Sequence, residues 1–142
     1  MATTVTPRTG LDDWGKLLLR VTIGGLLLFH GVFKAKNGIA WMAGPLSAVG
    51  LPMFVAYGVY VGEIVAPIFA ILGKYTRLAG LVIAFDLLMA IVLVLRDRIF
   101  SVNPQGGALA IEVESFFLLG GLAIALLGSG RYALSRGRGR WD

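Results

Sequence analysis

Four acids and a histidine sit where an apolar chain has least reason to carry them. His30 lies in LLLFHGVFK, Glu63 in VYVGEIVAP, Asp86 in VIAFDLLMA, and Glu112 and Glu114 open the stretch IEVESFFLL. Lys34 follows His30 by four residues, so on a helix the two share a face, and Arg20 precedes them in the same apolar run. Charged groups at membrane depth are costly and usually face a protein interior or a water-filled cavity. An imidazole or a carboxylic acid held in such surroundings can hydrogen-bond a carbonyl oxygen and exchange protons near neutral pH. Proton-coupled chemistry at a quinone needs those groups, because reduction of the ring takes up two protons and apolar walls suit an isoprenoid tail. A proton-coupled transport path would use the same groups.

The expected site follows from depth along the chain. His30 and Glu63 are the candidate catalytic pair; Arg20, Lys34, Asp86 and Glu112 are the candidate ligand-binding residues. Glu112 and Glu114 are two residues apart, about 200° around a helix, so only one can face inward, and Glu112 is the expected one. A structural reading stands beside each of these. Arg20 is either buried or snorkels to the headgroups, as Lys34 could from its own end. A His30–Glu63 or Lys34–Glu112 pair could serve only to fix helix register. Asp86 has no basic group clearly at its level. The glycines lie inside apolar spans, which suits packing rather than a nucleotide loop; Gly58, Gly62 and Ala66, four apart, predict a flat strip for a neighbouring helix.

The elements that must position these residues are membrane helices. The 142-residue chain is 57 % hydrophobic and only 15 % charged, with a mean hydropathy of +0.82, whereas soluble domains are about 25 % charged. Spans are predicted over 14–33, 53–72, 78–95 and 108–127, each about the 20 residues that cross the hydrocarbon. The segment 37–52 is too apolar for an ordinary loop and too broken by Gly44-Pro45 and Gly50-Leu51-Pro52 to span. It predicts a short interfacial helix anchored by Trp41. The first span ends in FHGVFKAKNG, with two lysines and no small-residue cleavage site, so it reads as a retained helix rather than a signal peptide. The fold class is therefore all-α, an integral membrane four-helix bundle in a single domain, with a basic, loosely ordered tail over 128–142.

Charge and composition bound the function. The net charge of +5 does not point to nucleic acid, because the cations sit at span ends and read as topology and lipid contact. Arg8, Lys16, Arg20, Lys74, Arg77 and the arginines of the tail outnumber Lys34, Lys36, Arg96 and Arg98 on the other side, which predicts both termini in the cytoplasm. The chain has no cysteine and one histidine. That removes thiol chemistry, iron–sulfur ligation and histidine-rich metal sites within one chain, so any redox centre must be borrowed.

Several short motifs follow one another in a set order and spacing: Arg20 with Phe29-His30-Gly31 and Lys34; Gly50-Leu51-Pro52; Gly62-Glu63; Leu72-Gly73; Thr76-Arg77; Glu112 after Gly106-Gly107; and Gly128-Ser129-Gly130-Arg131-Tyr132. Together they resemble the DoxX family of small four-helix bacterial and archaeal membrane proteins. Two departures stand out. Where the family closes on a motif like GPGRYSLD, this chain has GSGRYALS, with Ser129 for the proline, Ala133 for the serine and Ser135 for the acid. Asp86 falls where the family is more often uncharged or amide-bearing. The resemblance implies a four-helix bundle in the cytoplasmic membrane and an association with quinone-linked redox complexes, since the family is named for a subunit associated with a thiosulfate:quinone oxidoreductase and terminal quinol oxidase.

Three functions are compatible with this reading. The first is a quinone-linked redox subunit or accessory, with quinone as its cofactor. The second is a non-catalytic scaffold docking a soluble redox partner through its tail. The third, ranked below both, is a proton-coupled small-molecule carrier, which at this size would need to form a homo-oligomer. Membrane lipids are partners in all three.

Overall fold

The computed structural model describes residues 10–142; Arg8, counted above toward topology, lies outside them. Long runs of Leu, Ile, Val and Ala have no water to satisfy their backbone in a bilayer, and an α-helix supplies every bond from within the segment. The chain accordingly forms helix α1 over Gly10–Asn37, a short α2 over Ala43–Ala48, α3 over Met53–Leu72, α4 over Thr76–Val94 and α5 over Glu112–Leu127. Helices α1, α3 and α4 are each long and apolar enough to cross a membrane. No strand forms among the described residues, where an isolated bridge joins Val102 to Leu109.

All four long helices contribute to one core: Ile23 and Leu27 from α1, Ala66 and Ala70 from α3, Ile83 and Leu87 from α4, Phe117 and Ile124 from α5. The outer faces carry Phe29, Leu119 and Leu126, all exposed, as a bundle surrounded by lipid requires. Helices α4 and α5 meet at a pair of glycines. A Cβ on Gly80 would stand 2.5 Å from the Gly121 carbonyl oxygen, and one on Gly121 would stand 2.8 Å from that of Gly80. Small residues allow this approach where packing rather than the hydrophobic effect holds helices together. The predicted strip on α3 is used differently. Ala66 is buried in the core, Gly62 receives Asp86, and Gly58 meets no side chain because it borders a cavity.

Two helices are locally unwound to π geometry. Ala66 donates to the carbonyl of Val61, and Leu95 donates to that of Ala90 at 3.2 Å. Pro67 lies just beyond the first turn and has no N–H to donate back to Glu63. Helix α5 starts later than the spacing predicts, because Asn103 and Ala110 donate to Ala108 and Ser101 and so draw residues 108–110 into a turn.

At the opposite end, two arginines close two helices. The last carbonyls of a helix have no partner within it, and a guanidinium is a favourable one. Arg20 Nη1 donates to Ala70 at 2.9 Å and to Ile71 at 3.1 Å, at the end of α3. Arg77 Nη1 donates to Ala125 at 2.8 Å and Leu126 at 2.9 Å, at the end of α5. The tail is not loosely ordered, as composition suggests, but folds back onto this end. Leu134 and Ser135 donate to Leu72 and Gly73, Arg77 donates its N–H to Trp141, and Arg131 N donates to the buried Asp13 at 3.0 Å. The two serines that depart from the family's closing motif meet each other, Ser129 Oγ 3.2 Å from Ser135 Oγ, while Ser135 also donates to the Gly73 carbonyl at 2.8 Å.

Candidate functional site

Between the four helices, at the end away from the tail, lies a cavity of about 610 Å³. Helix α2 and its flanks form the roof: Leu46 packs with Ile39, Ala56 and Val59 in a second apolar cluster, while Trp41 and Leu51 line the space below. The walls are predominantly aliphatic, with Phe85 and Phe117 added from α4 and α5. Into them converge His30 and Lys34 from α1, Glu63 from α3, Asp86 from α4 and Glu114 from α5. A largely apolar pocket of this size with a few convergent polar groups is the usual form of a small-molecule site.

Each polar group is placed by an identifiable local feature. Glu63 sits in the middle of the π turn over Val61–Val65 and is 3 % exposed; such single π turns are frequent at functional sites. Gly31 lets α1 approach closely, for a Cβ there would stand 2.5 Å from the Glu63 carbonyl oxygen. That contact brings Lys34, one turn further along α1, to 2.5 Å from Glu63 Oε1. The other carboxylate oxygen, Oε2, is buried with no hydrogen-bond partner among the described residues. Asp86 seats its carboxyl in the space left by the missing side chain of Gly62, which a Cβ would overlap. His30 stands edge-on to Phe117, ring centroids 5.6 Å apart.

Of the residues expected from the sequence, His30, Lys34, Glu63 and Asp86 share this cavity, and two do not. Arg20 neither snorkels nor binds there. It is 1 % exposed, ten residues and therefore about 15 Å along α1 from His30, with its guanidinium committed to Ala70, Ile71 and Tyr132 carbonyls. Glu112 is exposed and outside the cavity; Glu114 is the carboxylate that lines it. Helix phase decides this. The buried face of α5 runs through Phe117, Gly121 and Ile124, and Glu114 lies three residues before Phe117 on that face. The ion pair that forms is neither His30–Glu63 nor Lys34–Glu112 but Lys34–Glu63. No group of three or more His, Cys, Asp or Glu able to hold a metal ion occurs among the described residues.

This arrangement can bind an apolar molecule with a polar head, screen it from water and exchange protons with it through an imidazole and three carboxyl groups. Residues 15–96 match the DoxX family profile. The chain is 32 % identical over 122 residues to a Bacillus subtilis (strain 168) protein named "Putative oxidoreductase CatD", covering 84 % of each chain. It is 31 % identical over 103 residues to an uncharacterized protein of Haemophilus influenzae, covering 70 % of this chain and 75 % of the other. No solved structure matches it significantly.

Proposed function

This chain belongs to the DoxX family, and on that premise we propose that it is a quinone-linked redox subunit or accessory of the cytoplasmic membrane, with both termini cytoplasmic. One observation carries the reading: a mainly apolar cavity of about 610 Å³ in which His30, Lys34, Glu63, Asp86 and Glu114 converge. The likeness to a protein named "Putative oxidoreductase CatD" supports redox chemistry, and the excess of Lys and Arg at the tail end supports the orientation.

The residues fit a quinone head. The imidazole of His30 offers a ring N–H to a carbonyl oxygen of that head, and the aliphatic walls and the π faces of Phe85 and Phe117 suit its ring and tail. When bound, a quinone supplies the two-electron, two-proton couple that this chain lacks. Lys34 holds Glu63 in place through its ion pair. His30 would hydrogen-bond the ring and pass a proton to or from an oxygen on it, and the carboxyl groups of Asp86 and Glu114 line the wall beside it. Electrons must come from or go to a partner, since the chain has no cysteine and one histidine.

The reading is tested on gently solubilised protein, by mass spectrometry of co-purified lipids and an oxidised-minus-reduced spectrum. Near one quinone per chain is expected, lost in His30→Ala with the fold retained. Phospholipid alone, together with a functionally silent His30→Ala, would sink it. A second reading, a scaffold for a soluble redox partner, is favoured by the folded tail, which holds Arg131, Arg136, Arg138 and Arg140 exposed on one end of the bundle. Pull-downs that are identical with and without residues 136–142 would remove it.

A further inference from the structure

We propose that the ligand's aliphatic tail leaves the cavity sideways, through an opening between α3 and α4 at Gly58, so that the site takes a long-chain lipid from the bilayer rather than a water-borne molecule. The proposal rests on the quinone reading above and deepens it by assigning the ligand's orientation and its route of entry.

Two glycines one turn apart on α3 differ in what stands against them. At Gly62 the carboxyl of Asp86 fills the place of the missing side chain, and a Cβ would overlap it. At Gly58 a Cβ would meet nothing within 4 Å, although Gly58 lines the cavity. Helices α3 and α4 run antiparallel, so the turn of α4 beyond Asp86 lies level with Gly58. That turn holds Met89 and Ala90, both on the cavity wall, and α4 unwinds to π geometry from Ala90 to Val94. The gap that Asp86 closes is left open one turn further on.

The cavity wall continues through this gap to the outside of the bundle. Val61 and Phe85 line it and are nonetheless 51 % and 63 % exposed. Phe85 and Met89, four apart, share a face of α4 turned away from Gly80 and Ala84, which meet α5. Both α3 and α4 are long and apolar enough to span a membrane, so an opening between them within the span faces acyl chains. Its rim, Gly58, Val61, Phe85 and Met89, carries no charged or hydrogen-bonding side chain. On the other side of the cavity, α1 and α5 supply His30, Lys34 and Glu114. An amphiphile therefore lies across the bundle, with its head at His30 and its chain in the gap. A cavity of about 610 Å³ is of drug-sized capacity. It holds a ring and the start of a chain, and the rest of an isoprenoid tail stays in the bilayer.

The test titrates detergent-solubilised wild type and Gly58→Phe with a decyl benzoquinone and with the same ring lacking the chain. The added phenyl group enters open space and obstructs the chain alone. The expected result is decyl compound bound at least about fivefold more weakly by Gly58→Phe, the low end of an overpacking cost, with the chainless ring bound as in wild type. Equal affinity of the decyl compound for both proteins would overturn the proposal, as would an equal loss of both probes, which places the ring itself at Gly58. Binding of neither probe to wild type would overturn the quinone reading with it. A second measurement needs no substitution and decides the matter if Gly58→Phe does not fold or the chainless ring binds too weakly to titrate. A decyl benzoquinone with a photoreactive diazirine at the chain end, irradiated in the wild-type protein, should label α3 and α4 around Val61, Phe85 and Met89. Labelling confined to α1 and α5 would overturn the route while leaving the quinone site standing.

Discussion

Lys34 Nζ lies 2.5 Å from Glu63 Oε1 across the α1–α3 contact, and this ion pair holds only one of the two carboxylate oxygens. Removing one member of a buried pair leaves an uncompensated charge and costs about 3–5 kcal/mol; because Lys34 is 20 % exposed, the lower end applies. Lys34→Met should lower stability toward that amount in thermal unfolding, and Lys34→Met combined with Glu63→Leu should recover most of it. A double variant no more stable than Lys34→Met would show that the pair is not what couples these positions.

Arg20 is buried outside the cavity lining. Its three carbonyl contacts tie α1 to the end of α3 and to the tail, and a single ammonium cannot reproduce the fork. Arg20→Lys should therefore lose about 2–3 kcal/mol without changing quinone occupancy per folded molecule. Loss of quinone from stably folded Arg20→Lys protein would return Arg20 to the site.

Gly62 and Asp86 are a matched pair, because the carboxyl occupies the space of the absent side chain. Gly62→Ala should destabilise the bundle, and Asp86→Ala should relieve it, with a coupling of about 1–2 kcal/mol in a double-mutant cycle, within the range for residues in contact. Additive effects would mean that Asp86 is free to move aside.

The two acids at the start of α5 should separate cleanly. Glu114→Gln should lower quinone occupancy severalfold, whereas Glu112→Gln should leave it unchanged, since Glu114 lines the cavity and Glu112 is exposed outside it. Titration of both variants side by side checks the helix phase directly, and the reverse order would contradict it.

The tail should resist proteolysis as long as Arg77 anchors it. Arg77 bonds Ala125, Leu126 and the Asp142 carbonyl oxygen and donates its N–H to Trp141. Arg77→Met should speed tryptic cleavage after Arg136 and Arg138 at least severalfold. Equal cleavage rates would mean that the other tail contacts suffice.

Much of this molecule was legible along the chain because bilayer physics is local. An apolar run near 20 residues long must become a helix, and a charge within it must find a protein partner or a cavity. That logic brought out His30, Lys34, Glu63 and Asp86 without any knowledge of their contacts. Glu114 was recoverable too: Phe117, Gly121 and Ile124 set a face that includes it, a signal that the opposed pair Glu112/Glu114 alone does not carry.

What only the tertiary structure decided is which polar groups meet. Hydropathy assigns a residue its depth but not its azimuth. Arg20 was therefore ambiguous until the ends of α3 and the tail closed around it. The choice of Lys34 rather than His30 as the partner of Glu63 depends on Gly31 letting α1 approach the π turn of α3. The tail looked unstructured because its partners, Leu72, Gly73, Arg77 and Asp13, lie about 60 to 120 residues away in the chain. Contacts between helices are fixed by rotation and close approach of whole elements, and no local pattern of residues encodes either.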